Sequence, residues 1–139
     1  MEQPHKLASN PFVEALAPDL IYAGEGRSEI RLQIEPRHEN ALGVAHGGVV
    51  MAMLDIAMAV AAKSSDTQGR GVVTVEMKTS FLRPARGEIR ALGWCDHHSS
   101  TMAFCRAELR DSHDRLLAQA MGTFKRMTVL GRRRLQASD

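Results

Sequence analysis

AHGGVVMAMLDIAMAVAA, residues Ala45 to Ala62, decides how the rest of the chain must fold. Its alanine, methionine and leucine content favours helix, and neither strict alternation nor a two-sided amphipathic stripe runs through it. An apolar segment of this length reads as a central helix with protein on nearly all sides. It should start near Gly47 and fray at KSSDTQGRG, where Lys63, polar residues and glycines supply stop signals. One carboxylate, Asp55, interrupts it. A carboxylate in apolar surroundings is costly without a partner, so Asp55 is tolerated for a reason, exposed, or part of a site.

Outward from that helix the periodicity changes. In RSEIRLQIEPR, Ile30, Leu32 and Ile34 face one way and Glu29, Arg31, Gln33 and Glu35 the other, a half-buried strand stopped by Pro36. Before it, NPFVEALAP offers Asn10 as a cap and Pro11 as the first residue of a brief helix. Between strand and long helix lies a polar loop, RHENALGVA. After the helix a period of two persists through VVTVEMKTSFLR, EIRALGWC, TMAFCRAELR and RLLAQAMGTFKRM, joined by PARG, DHHSS and DSHD. Such short links imply antiparallel neighbours. The expected fold is α+β: one early strand, a central helix, then an antiparallel sheet curling around it. One helix cannot cover such a sheet and its edges, so a two-fold homodimer is the simplest completion.

The 139 residues fit a single domain, with 44% hydrophobic and 24% charged residues and about ten residues at each end expected to fray. The N-terminal stretch carries acids and prolines in place of a signal sequence's basic start and apolar run. The apolar runs Val49–Leu54 and Ile56–Ala62 fall short of the roughly 20 residues that span a bilayer, which points to a soluble, cytoplasmic protein with no membrane partner. Cys95 and Cys105 show no zinc spacing and read as free buried thiols, while His97 and His98 read as part of a solvated turn, so no metal site is expected. The formal charge of +2 resides in the tail after Gly131, where Arg132–Arg134 face one acid. The remaining body is about neutral, which gives nucleic-acid binding little support.

Asn40, His46-Gly47-Gly48, Asp55 and the segment VEMKTSFLRPARG resemble the hotdog-fold acyl-CoA thioesterases, in particular the branch associated with phenylacetate and other aromatic acyl-CoA compounds. The resemblance covers roughly Ser28 to Met127. Glycines at a helix start admit a substrate to backbone N–H groups that have no helical partner and carry the positive end of the dipole, a natural oxyanion site. By resemblance, Gly47 is the main donor, Asn40 assists it, Gly48 lies against substrate, and Asp55 activates water or attacks directly. His46 is placed with the site, either as a chemical group or as a brace for the helix start.

Gly47 and Asp55 lie eight residues apart, or ~12 Å along one helix, too far to grip the same carbonyl. The family resolves this by building each site from two subunits of a homodimer or homotetramer. Relatives also place a hydroxyl on the strand after the helix, here Thr74. Strict alternation nevertheless puts Thr74 on the face opposite Val73, Val75, Met77 and Phe81, unless the strand carries a bulge. Another hydroxyl position of the family is Ala59 here. Arg83 and Arg86 are the first candidates for the CoA phosphates and the Arg132–Arg134 run the second, while Met58 is a candidate for the acyl pocket. CoA enters as part of the substrate and no further cofactor is implied. The alternative is a non-catalytic acyl-CoA-binding regulatory or carrier module on the same fold. A hydratase of the related double-hotdog class ranks last, since IAMAVAA after Asp55 holds no histidine.

Overall fold

Six antiparallel strands wrap one long helix in the computed structural model, which describes Leu7 and residues 10–128. The expected tails, including Arg132–Arg134, lie outside the described residues. In chain order the elements are α1 (Pro11–Leu16), β1 (Asp19–Gly24), β2 (Arg27–Gln33), a 3₁₀ turn at Pro36–His38, α2 (Gly47–Ser64), β3 (Val72–Phe81), β4 (Glu88–His98), β5 (Met102–Asp111) and β6 (Leu116–Arg126). The sheet order is β1-β2-β4-β5-β6-β3, which leaves β1 and β3 at the edges.

The local signals act as the residue types require. Asn10 Oδ1 accepts from Val13 N at 3.0 Å, and Pro11 opens α1. Alternation along β2, β4, β5 and β6 sends Ile30, Leu32, Ile89, Ala91, Ala107, Leu109 and Phe124 inward, and α2 meets them with Met53, Leu54, Ala57, Met58 and Ala61. α2 is apolar and long enough to cross a membrane by composition, but here its buried stripe packs on the sheet.

Three features depart from the sequence expectations. β1 was not expected: its apolar residues Leu20, Ile21 and Tyr22 are consecutive, and its pairing with β2 carries an irregularity between Leu20 and Tyr22. β4 continues through Asp96–His98, expected as a turn, because a register shift between Cys95 and His97 lets it keep pairing with β5. The third correction concerns α2, which is not enclosed on nearly all sides: Met51, Ala52, Asp55, Ile56, Ala59, Val60 and Lys63 form an uncovered stripe along it at helical spacing.

α2 is held closely to the sheet at Gly93, where a Cβ would overlap the Ala57 carbonyl oxygen and stand 2.6 Å from Ser28 Oγ. That hydroxyl donates to the same carbonyl at 2.6 Å, so neither side can retreat freely. Gly93→Ala is expected to destabilise the fold by about 3 kcal/mol, read as a drop in the urea midpoint. At the other end of α2, buried Arg126 donates to Ala62 O at 2.9 Å and to Ser65 Oγ at 3.0 Å, placing a cation against the negative end of the helix dipole.

Asp111 closes the β5–β6 turn. Backbone N–H bonds from Arg115 and His113, with the Arg115 guanidinium, hold its carboxyl below the usual carboxylate range. A depressed value favours the folded state at neutral pH, and this contribution is lost as pH falls through the lowered value. Asp111→Asn should therefore weaken the fold at neutral pH and flatten the acid limb of a stability–pH curve.

Candidate active site

The start of α2 is prepared by the loop that precedes it. His46 N donates to His38 O at 2.8 Å, Asn40 N to Val44 O at 2.8 Å, and Glu39 bridges Ala45, so the chain doubles back before entering the helix. His38 anchors this loop from below: Nδ1 accepts from Glu35 N at 3.0 Å, and Nε2 lies 3.1 Å from Leu16 O. On the other side, Ala45 N donates to Ala85 O at 2.9 Å, which seats the Pro84–Gly87 turn beside the helix tip.

The amides of the first turn are then divided unequally. Val49 N and Val50 N donate to His46 O at 2.9 and 3.1 Å. Gly48 N donates to His46 Nδ1 at 2.8 Å, so His46 is the N-cap. Among the described residues the N–H of Gly47 has no acceptor. A Cβ at Gly47 would stand 3.7 Å from the Phe81 ring, so the end of β3 lies against this tip. His46 accepts through Nδ1 and therefore carries its proton on Nε2 when neutral. Removing the cap by His46→Ala is expected to cost about 1 kcal/mol, while His46→Asn, another good N-cap, should recover most of it in thermal unfolding.

Asn40 Oδ1 accepts from Leu42 N at 2.9 Å and from Val44 N at 3.4 Å. Both bonds fix the carboxamide and leave its NH₂ without an acceptor among the described residues. Asn40 is thus at once a turn residue and an oriented donor.

Asp55 lies half-buried on the uncovered stripe of α2, and Thr74 Oγ1 donates to its Oδ1 at 2.6 Å. A bulge makes this possible. The β3–β6 register shifts between Thr74 and Glu76, so Thr74 opposes buried Phe124 while Glu76 opposes Thr123 and bonds to it on the outer face at 3.2 Å. With Val75 as the extra residue, Thr74 turns toward the helix.

Other sequence candidates separate. Arg83 Nη1 donates to Leu116 O at 2.7 Å and braces a strand end, whereas exposed Arg86 makes no ion pair among the described residues. Met58 is a correction: it is wholly buried on the core side of α2, beside Gly122, and is not part of the lining of the cleft beside Asp55. Asp55 instead opens onto a cleft of about 940 Å³ between α2, α1, β1 and the start of β3. The sequence reading missed Lys63 at the far end of this cleft, taking it only as a helix stop.

A family model described as the thioesterase superfamily matches residues 42–118, more than half of the chain. The chain is similar to human acyl-coenzyme A thioesterase 13, with 28% identity over 107 residues, covering 75% of this chain and 76% of the relative. A solved structure of a conserved protein from Pseudomonas aeruginosa has 31% identity and a TM-score of 0.81, covering 86% of this chain and 95% of that one. A phenylacetic acid degradation protein of Thermus thermophilus has 26% identity and a TM-score of 0.76, covering 85% of this chain and all of that one.

Proposed function

The chain belongs to the thioesterase superfamily, and from that premise we propose that it hydrolyses aromatic or medium-chain acyl-CoA esters in the cytoplasm, at sites shared between two subunits. The observation that carries this reading is the separation of a donor from a base. Gly47 offers an N–H without an acceptor among the described residues, and Asp55, held by Thr74, lies ~12 Å further along the same helix. Neither can complete a site alone.

The edge strand supplies a way to join them. The outer edge of β3 is unpaired among the described residues, and Val75 and Phe81 are 58% and 55% exposed on it. β3 can pair antiparallel with a second copy about a two-fold axis close to Met77. The Thr74 end of one strand then meets the Phe81 end of the other. Phe81 marks the Gly47 tip and Thr74 marks Asp55, so one pairing brings the partner's tip to each carboxylate. The same contact covers apolar residues of the uncovered stripe.

In this arrangement the thioester carbonyl oxygen takes the Gly47 N–H and the Asn40 NH₂ from one chain. Asp55 of the other chain accepts a proton from water as the water oxygen bonds to the carbonyl carbon. The electron pair moves onto the carbonyl oxygen, then returns to break the C–S bond, and the CoA thiolate leaves and takes up a proton. A direct attack by Asp55 would instead form a mixed anhydride, and where water opens it at the Asp55 carbonyl, single turnover in heavy-oxygen water leaves the label on Asp55, which the general-base route does not. Arg86, on the turn beside the tip, is the side chain we assign to a CoA phosphate.

Thr74→Val removes one hydrogen bond to a charged group. Turnover should fall about tenfold with the fold intact, because such a bond is worth about 1.5 kcal/mol. The test of the whole reading is thiol release from a panel of aryl, short-chain and long-chain acyl-CoA esters. Release with a preference for aryl or medium chains supports it. Binding without release would favour the regulatory or carrier module.

A further inference from the structure

The cleft that starts at Asp55 runs along α2 toward the C-terminal end of the helix, away from Gly47. Its walls near Asp55 are apolar: Ile56, Ala59 and Val60 from α2, Val72 and Val73 from β3, and Leu20 from β1. Its far end is not. Lys63 and Ser64 lie there, roughly two turns of helix beyond the carboxylate, with Asp66 just past the end of α2.

Among the described residues, one of those far-end groups is uncompensated. Both oxygens of Asp66 are engaged by Arg70, with its backbone N at 2.9 Å, Nε at 2.9 Å and Nη2 at 3.4 Å. The Asp66–Arg70 pair is therefore neutral as a unit. The Ser64 hydroxyl accepts from Gly26 N at 2.9 Å and donates to Ala61 O at 2.8 Å. Lys63 makes no hydrogen bond or ion pair among the described residues. Lys63 lines the cleft, and its ammonium is the net charge of that end.

We propose that Lys63 is a specificity-determining residue that selects acyl groups ending in an anionic substituent, such as the free carboxylate of a dicarboxylic acid esterified to CoA at its other end. The inference rests on the thioesterase reading above. Eight residues separate Asp55 from Lys63, ~12 Å of helix, so a chain with its thioester carbon at Asp55 crosses the apolar walls and presents its far end to the ammonium. A terminal carboxylate gains a charge-assisted partner there, whereas an alkyl terminus leaves the ammonium to water alone. Ala59, at the midpoint, keeps the path open.

The experiment compares kcat/KM for decanoyl-CoA with that for the CoA monothioester of sebacic acid, which has the same chain length and a terminal carboxylate. The native protein is expected to favour the carboxylated ester on the order of fivefold, about the limit for a solvent-accessible ion pair, and less at high salt. In Lys63→Met the ratio should fall to near one, and in Lys63→Glu below one. A ratio of one in the native protein, or a preference that survives Lys63→Met, overturns the proposal while leaving thioester hydrolysis standing. Failure to release thiol from either ester while the wider panel is hydrolysed overturns this inference alone; failure across the whole panel would overturn the hydrolase reading and this inference with it.

Discussion

Asp55→Asn is expected to lower kcat by about 10² to 10⁴ while leaving folding and subunit association unchanged. Asparagine keeps the size of the side chain and can still accept the Thr74 hydroxyl, so the 2.6 Å contact that orients the group survives. What disappears is the negative charge that, in the proposed reaction, takes a proton from water or attacks the thioester. Asp55 lies half-buried on the uncovered stripe of α2, outside the core, so the exchange exposes no cavity. The measurement is steady-state thiol release beside thermal unfolding and size-exclusion mass determination. Unchanged turnover would remove Asp55 from the chemistry.

Gly47→Pro should lower turnover by about 10² to 10³, the cost of losing one oxyanion donor, with the helix intact. Proline is well suited to the first position of a helix, where its missing N–H satisfies nothing within the helix. Here that N–H is the one amide of the first turn without an acceptor among the described residues, so its loss breaks no native bond. The residue before a proline must be extended, and His46 already has φ −57° and ψ 140°. An added Cβ at Gly47 meets the Phe81 ring at ordinary contact distance. Activity is therefore the property expected to change, while secondary structure by circular dichroism should not. Full activity in a folded Gly47→Pro variant would show that another group holds the carbonyl oxygen.

Much of this arrangement was legible because it rests on patterns that residue types record directly. Alternation placed β2 to β6, the apolar run placed α2 from Gly47 to Ser64, and a lone acid on that run marked Asp55. Irregularities of register were not legible in the same way. The bulge at Val75 turns Thr74 inward without any change of composition, since one extra residue reverses the facing of everything before it. β1 escaped notice because an edge strand with consecutive apolar residues has no period-two signal. The uncovered face of α2 looked like core for a related reason: Ile56, Ala59 and Val60 are as apolar as Met53 or Leu54, and only the fold shows that no strand among the described residues covers them. Met58 illustrates the same limit, since its side chain turns to the sheet and away from the cleft.

The most direct measurement mixes the two variants expected to lose activity. Asp55→Asn and Gly47→Pro chains, unfolded together and refolded at equal concentration, should form hybrid dimers in which one site is doubly defective and the other has both its donor and its carboxylate. With random pairing, about a quarter of native activity should return, since half the dimers are hybrids and each has one intact site of two. Recovery at that level is the result expected of sites built across two chains. No recovery, with hybrids demonstrated by native mass spectrometry, would contradict the account and place Gly47 and Asp55 in the same chain's site or outside any shared one.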